Sequence, residues 1–406
     1  MATKYKDSGI PWIGMIPSDW SFDMIGNLYT LRNEKVSDKD YPPLSVGKMG
    51  VVPQLETAAK TDDGDNRKLV RKGDFAINSR SDRRGSCGIS EYDGSVSLIN
   101  TIITPKCEMN PRYYNWFFHT EAFADEFYRW GHGIVDDLWT TRWQEMKRIS
   151  VVFPPLPTQQ RIADFLDRKC AEIDELAALQ GTMIEELKRY KQSLITETVT
   201  KGLDPNAPMK DSGVEWIGEI PKGWEVVKIG YIFYNLDKLR QPISADLRER
   251  NNPLYDYYGA SGVIDKIDHY NVEDKVLLIG EDGANLVLRN LPLVYKAEGR
   301  FWVNNHAHIL KPIKDDYNFM AYALEAADYH NYITGSAQPK LSQENLHAVK
   351  LPVPSLSEQQ QIADFLDSKC AEIDELIAIK QQKIEALKEY KKSVIFEYVT
   401  GKKEII

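Results

Sequence analysis

Two stretches of about 40 residues carry apolar side chains at spacings of three and four. In the first these are Ile162, Leu166, Ile173, Leu176, Met183, Leu187, Tyr190 and Leu194; in the second, Ile362, Leu366, Ile373, Leu376, Leu387, Tyr390 and Val394. That period predicts two long amphipathic helices with a coiled-coil seam, interrupted at Lys169, Gln180, Lys369 and Lys380. Each follows a proline-rich stop, VVFPPLPTQQ at 151–160 and LPVPSLSEQQ at 351–360. Pro157 cannot continue a preceding element, and Thr158 or Ser357 is placed to cap the helix. At 1.5 Å per residue each helix runs roughly 60 Å. Residues 161–200 and 361–400 are identical at 26 of 40 positions at an offset of 200. Helices packed separately on their own domains account for the amphipathicity but not for the shared sequence. Packed on each other within one returning chain, they form an antiparallel pair.

A second repeat opens each half, KDSGIPWIGMIPSDW from Lys6 and KDSGVEWIGEIPKGW from Lys210, and KGLDPNAPMKDSG links the halves. Between the frames lie stretches of little mutual identity. Short runs such as DFAIN, SLINTIIT, KVLLIG and VNNHAHIL read as strands, and PRYYNWFFHTEAFADEFYRW and NFMAYALEAADYHNYI as helical patches. Both stretches keep the order turn, strand, polar loop, strand, with different polar side chains. The expected fold class is α+β: two mixed α/β domains separated by two long helices packed as an antiparallel coiled coil, a pseudo-twofold repeat. The expected boundaries are 1–157 for the first domain, 158–200 for the central helix, 201–356 for the linker and second domain, and 357–406 for the C-terminal helix.

Hydrophobic content of 42% and charged content of 27% are those of an ordinary soluble protein, and 406 residues accommodate two or more cores. No apolar run approaches the roughly 18 residues a membrane span needs, and MATKYKDSG lacks a signal-peptide core. Cys87, Cys107, Cys170 and Cys370 form no CxxC pair, so a reducing cytoplasm is expected, with Cys170 and Cys370 as small buried side chains. Net charge is -9, yet Arg67, Lys68, Arg71, Lys72, Arg80, Arg83 and Arg84 face only Asp74 and Asp82 between positions 67 and 84. A local positive footprint is what nucleic-acid binding requires, although a charge run is equally a solvated face.

The loop INSRSDRRGSCGIS gathers Asn78, Ser79, Arg80, Ser81, Arg83, Arg84 and Ser86, with Lys68 and Arg71 upstream. Arginine reads guanine edges, asparagine reads adenine, and serine and arginine grip phosphates. The second stretch offers Ser261, then Glu281, Asp282 and Asn285 in GEDGAN, then Asn304, Asn305, His306 and His308. Arg240, Arg248, Arg250, Arg300 and Lys340 are its candidate phosphate contacts. His306 and His308 would share a face if both lay on one strand, but two histidines alone do not make a metal site, and none is expected. No phosphate loop, Gly-rich dinucleotide turn, HExxH or GxSxG occurs, and Asn252-Pro253-Leu254-Tyr255 lacks the second proline of an amino-methyltransferase motif. The chain is expected to bind and not to catalyse.

Over essentially its full length the chain resembles the specificity subunit of type I restriction-modification systems. The resemblance rests on WIGxIPxxW before each stretch, PPLPTQQRIADFLD and PSLSEQQQIADFLD after it, and NSRSDRRGS, EDGAN and WVNNHAH within. It implies two target-recognition domains, each reading half of a split double-stranded DNA site, on helices that dock two methyltransferase subunits, with restriction subunits joining them. It also implies no cofactor on this chain, with S-adenosylmethionine, ATP and magnesium on the partners. The first stretch ends in GHGIVDDLWTTRWQEMK and the second in the shorter GSAQPKLSQENLHAVK, so the two half-sites should differ. The rival readings are a bivalent protein–protein adaptor on a helical hairpin and a self-contained methylating enzyme.

Overall fold

The computed structural model describes residues 4–54, 64–80, 83–133, 139–244, 254–282, 285–335 and 339–405. The chain divides into two compact units, Met1–Gly181 with Gln381–Ile406, and Thr182–Lys380.

In the first unit a hairpin of Tyr5–Asp7 against Met15–Pro17 buries Ile16. Strand Ser21–Met24 then pairs antiparallel with Ser150–Phe153, so the variable stretch leaves and rejoins its frame at one place. Its sheet has the order Cys87–Ile89, Phe75–Asn78, Asn100–Pro105, Tyr29–Arg32, all antiparallel. Strand alternation divides the core in two: Phe75, Ile77 and Ile103 join one apolar cluster, while Ala76 and Ile102 join another with Leu44, Val51, Val70 and Val96. The first cluster is covered by helix Pro111–Phe118, whose Tyr113, Tyr114, Phe117 and Phe118 share one buried face. Pro111 needs no N–H partner in the first turn, and Asn110 caps the helix by accepting from the Tyr113 N–H.

The second unit repeats this plan with a larger sheet. Glu225–Lys228 pairs with Lys350–Val353 as entry and exit. Six strands follow the order Phe233–Asn235, Ala307–Pro312, Val272–Gly280, Val294–Val303, Tyr255–Gly259, Gly262–Ile267. Leu277, Ile279 and Leu310 pack with helix Tyr317–Ala326, while Val276, Leu278 and Ile309 fill the opposite cluster. Asp316 caps that helix through the Phe319 N–H.

The two long helices are Leu156–Lys201 and Leu356–Val399. In the first unit Phe165 meets Tyr398 and Asp174 meets Lys391, so positions rise along one helix as they fall along the other. In the second unit Met183 meets Lys380 and Lys191 meets Asp374 in the same sense. Each unit therefore contains an antiparallel helix pair, as expected.

The seam follows the expected stripe at Ile162, Leu166, Ile173, Ile362, Leu366, Ile373 and Val394 and departs from it at other positions. Buried positions are Ala163, Leu166, Cys170, Ile173, Gln180 and Ile184, matched by Ala363, Leu366, Cys370 and Ile373. Leu176, Tyr190, Leu376 and Tyr390 are exposed, because each stands one residue before a position that faces the partner helix. Lys169 and Lys369 lie beside the seam, paired with Glu172 and Glu372, whereas Gln180 is buried in it. Burial pushes the Cys170 thiol up to about 11, which leaves it a packing group.

The caps also differ from expectation. Both helices begin before the serine or threonine assigned to cap them, since Pro157 fits inside a first turn. Ser355 caps the second helix: its Oγ accepts from the Glu358 N–H at 3.4 Å, and its own N–H donates to Glu358 Oε2 at 3.2 Å. This reciprocal box stabilises the helix by about 1 kcal/mol. The first helix has Pro155 there, and Thr158 lies within the first turn. Gly202 and Gly401 end the two helices at φ +77° and +70°, a conformation that favours glycine. No helix among the described residues is long and apolar enough to cross a membrane.

Candidate nucleic-acid interface

In the first unit the polar loop joins the hairpin strands Phe75–Asn78 and Cys87–Ile89. Its base is fixed by backbone bonds, Asn78 N to Ser86 O at 2.8 Å and Ser86 N to Arg83 O at 2.9 Å. Asn78 and Ser86 are buried, and Asn78 Oδ1 accepts from the Arg80 N–H at 3.1 Å, so both shape the loop and neither faces solvent. Arg80 and Arg83 are exposed. Arg84 is also exposed, but it is ion-paired with Asp125 of helix Glu121–Arg129. Ser81 lies outside the described residues.

Two expected contacts do not join this loop. Lys68 turns inward and donates to the Asn100 carbonyl at 2.6 Å; burial holds its pKa below the usual lysine range. Arg71 sits at the other end of strand Phe75–Asn78, bonded to Asp93 at 3.0 Å with its guanidinium over the Tyr41 ring. A second segment reaches the loop instead. Thr141 N donates to Ser79 O at 3.0 Å, Arg80 and Thr140 form a single antiparallel bridge, and His132 and Thr140 form another. The length of WTTRW was visible in the sequence, but its contact with residue 80 was not.

In the second unit three connections converge at the end of strand Val272–Gly280. The tip of the hairpin carrying Ser261 packs so closely that a Cβ on Gly280 would lie 2.6 Å from the Ala260 carbonyl oxygen. Glu281 N donates to His306 O, and Leu341 N donates to Glu281 O at 2.9 Å. Arg240 is mostly buried, donating to Glu281 Oε2 at 2.5 Å and to the Asn305 and Ala307 carbonyls. It braces the loops and is not free to hold a phosphate. Asp282 is ion-paired with His306, and with Lys340 at 3.1 Å. Burial works to raise the Asp282 pKa, but the bonds and charge of His306 and Lys340 win and hold it below the usual carboxylate range. The same bond to Asp282 raises Lys340.

The two histidines are not on one strand: His306 lies in the turn before Ala307–Pro312, and His308 lies within that strand. His308 is fully buried between Asp237 Oδ2 at 2.6 Å and the Leu341 carbonyl at 2.7 Å. Burial raises Asp237, but the bonds from His308 and the Ile309 N–H outweigh it and leave the carboxyl below its usual range. No cluster of metal-ligating side chains occurs among the described residues.

Asn304, Asn305, His306, Glu281, Asp282, Ser261 and Lys340 are thus brought together, although Asn304 is buried and holds the His306 N–H at 2.8 Å. Asn285 is elsewhere, closing its own loop through Leu291 N and the Leu291 carbonyl. Arg300 pairs with Glu273 at the far end of strand Val272–Gly280 and lies over Tyr270. Seven residues of strand separate Glu273 from Gly280, roughly 23 Å at the usual rise. Arg248 and Arg250 lie outside the described residues, as do Asn252 and Pro253 of the tetrad.

A model of the family described as "Type I restriction modification DNA specificity domain" matches residues 221–389. The type I restriction enzyme MjaVIII specificity subunit of Methanocaldococcus jannaschii is 27% identical over 295 residues, 63% of this chain and 62% of that one. A putative type I specificity subunit of Haemophilus influenzae is 32% identical over 138 residues, 34% of each chain. The chain spans between about a third and three-fifths of the length of these curated relatives. A chain from a structural study of the assembly and conformational transition of the type I R-M system matches the fold with a TM-score of 0.72 at 13% identity. That match covers 95% of this chain and 98% of that one. The HsdS subunit of Thermoanaerobacter tengcongensis matches with a TM-score of 0.54 at 14% identity, covering 95% and 98%. With its doubled frame and paired helices, the chain is similar to type I restriction-modification specificity subunits, and its residues 221–389 match that family's DNA specificity domain.

Proposed function

We propose that the chain is the DNA sequence-specificity subunit of a type I restriction-modification complex. Each domain reads one half of a bipartite duplex site, and the paired helices set the unread spacer and dock two methyltransferase subunits. The observation that carries this reading is chemical divergence at one structural address. Ser79-Arg80 and Glu281-Asp282 leave equivalent central strands and meet equivalent return segments, yet one pair offers a guanidinium and the other two carboxylates. Scaffolding alone gives no reason to vary these side chains so sharply.

The interface is largely neutralised from within. Arg84 meets Asp125, Arg240 meets Glu281, and Lys340 meets Asp282. With a net charge of -9, such a surface attracts duplex DNA weakly without a sequence match and without partner subunits. The chain is assigned a recognition role and no catalytic one, in the cytoplasm. S-adenosylmethionine, ATP and magnesium are assigned to the methyltransferase and restriction partners.

The test is enrichment of randomised duplex DNA by the chain co-expressed with its methyltransferase subunit, combined with a salt titration. A split consensus with steeply salt-dependent binding is expected. Salt-insensitive retention with no enriched sequence would favour a protein–protein adaptor.

A further inference from the structure

The polar loops of the two units meet their return segments through the same backbone device. In the first unit Thr141 N donates to Ser79 O, and Arg80 bridges to Thr140. In the second Leu341 N donates to Glu281 O, and Asp282 bridges to Lys340. Both bridges follow the central strand of their sheet, Phe75–Asn78 or Val272–Gly280. Both precede a short helix, Trp143–Met146 or Gln343–Ala348, that leads to the exit strand. Topology therefore equates Arg80 with Asp282 and Thr140 with Lys340, although the loop sequences show no identity there.

The charge has changed sides across this bridge. In the first unit the cation stands on the outgoing residue, and Arg80 is exposed with no ion pair to a described residue. In the second the outgoing residue is a carboxylate, and the cation is Lys340 on the returning residue, half-exposed and bound to Asp282 at 3.1 Å. A guanidinium or ammonium at a groove edge seeks guanine O6 and N7, while a carboxylate accepts only from an amino group such as that of cytosine. Moving the cation across an antiparallel bridge moves it by about 5 Å, more than the rise of one base pair.

Resting on the DNA-reading function above, we propose that this bridge is the specificity-determining position of each unit. It reads the same one or two adjacent base pairs of its own half-site, with Arg80 in the first unit and the Lys340–Asp282 pair in the second. The backbone bond at Ser79 or Glu281 holds the pair in place, so the two side chains can change while the fold does not.

The experiment is an exchange. Asp282→Arg with Lys340→Thr carries the first unit's chemistry into the second, and Arg80→Asp with Thr140→Lys does the reverse. Each variant, co-expressed with the methyltransferase subunit, is used to enrich randomised duplex DNA. Preference at one or two adjacent base pairs of the altered half-site should shift by about ten-fold or more, with the other half-site unchanged. Unchanged preference, or a loss spread evenly over all positions at an unchanged melting temperature, overturns the assignment. If an exchange unfolds the unit, Lys340→Gln and Asp282→Asn are read instead. They must relax discrimination at those same base pairs, and retained discrimination rejects the proposal. A wild-type complex that enriches no sequence sinks the DNA reading itself, and the bridge assignment with it.

Discussion

Lys191 donates to both carboxylate oxygens of Asp374, at 2.8 and 2.6 Å, and Lys391 does the same to Asp174 at 2.7 and 2.6 Å. One ion pair thus appears twice, with donor and acceptor exchanged between the helices. Asp374 and Asp174 are more than half exposed, so solvent screens both pairs and each contributes at most about 1 kcal/mol. Their effect is on register: a one-turn slip along the antiparallel pair would separate both. Lys191→Asp and Asp374→Lys should each destabilise the second unit, and the double exchange should recover most of the loss. A denaturation cycle that finds additive effects would remove register from the role of this pair.

Arg80 and Lys68 are both cations of the same charge run, but only Arg80 faces solvent. Arg80→Ala should abolish recognition of one half-site while leaving the melting temperature unchanged. Lys68→Ala should lower stability by about 1–3 kcal/mol, because the buried Asn100 carbonyl loses its donor. Its sequence preference should stay unchanged. Selection from randomised DNA and thermal denaturation of both variants separate the two roles.

Asp237 gives the second unit an acid sensitivity of defined sign. Its folded pKa lies below the unfolded value near 3.9, owing to His308 and the Ile309 N–H. The ionised carboxylate therefore contributes stability that is full above that value and lost as pH falls through the folded one. Asp237→Asn should lower stability at neutral pH and flatten its decline below about pH 4. Urea denaturation across that range is the measurement; parallel curves for the two proteins would show that another group controls acid unfolding.

The seam makes the spacing prediction specific. An insertion of four residues between Gly181 and Met183 in one helix lengthens it but breaks the match with its neighbour. Seven residues inserted in both helices, after Gly181 and after Gln381, preserve the three-and-four spacing. They add roughly 10 Å of helix, about three base pairs of rise. The unread spacer should grow by about that amount with both half-sites retained. A spacer of unchanged length in the modified sites would show that the helices are not the ruler.

The long helices, the repeated segments that frame each domain and the succession of turn, strand, polar loop and strand within it were legible because period and repetition are local properties, whereas the order of strands in each sheet was not. The phase of the seam was less so. Leu176 and Tyr190 fit a helical stripe as well as Ile184 does, and only the facing helix decides which are covered. The candidate interface was legible as two loops but not as a set of free charges. Nothing near Arg84 in sequence announces Asp125, and nothing near Asp282 announces Lys340. Lys68 and Arg71 belong to the same run as Arg80, but strand direction and local partners send them to different environments. Caps were misplaced by a simple competition: a proline that looks like a stop also suits a first helical turn.

Lys402 donates to the carbonyls of Ile13 and Met15, and Val394 and Val399 sit in the same apolar cluster as Ile16 and Trp20. The unit whose synthesis starts first is consequently finished last. On the ribosome, Thr182–Lys380 emerges as one continuous block, while the opening hairpin waits for a segment almost four hundred residues away. A message truncated before Val394 would release a chain with a complete second unit and an open first one. Such a product would lay open the cluster around Ile16 and Trp20 that the finished chain closes.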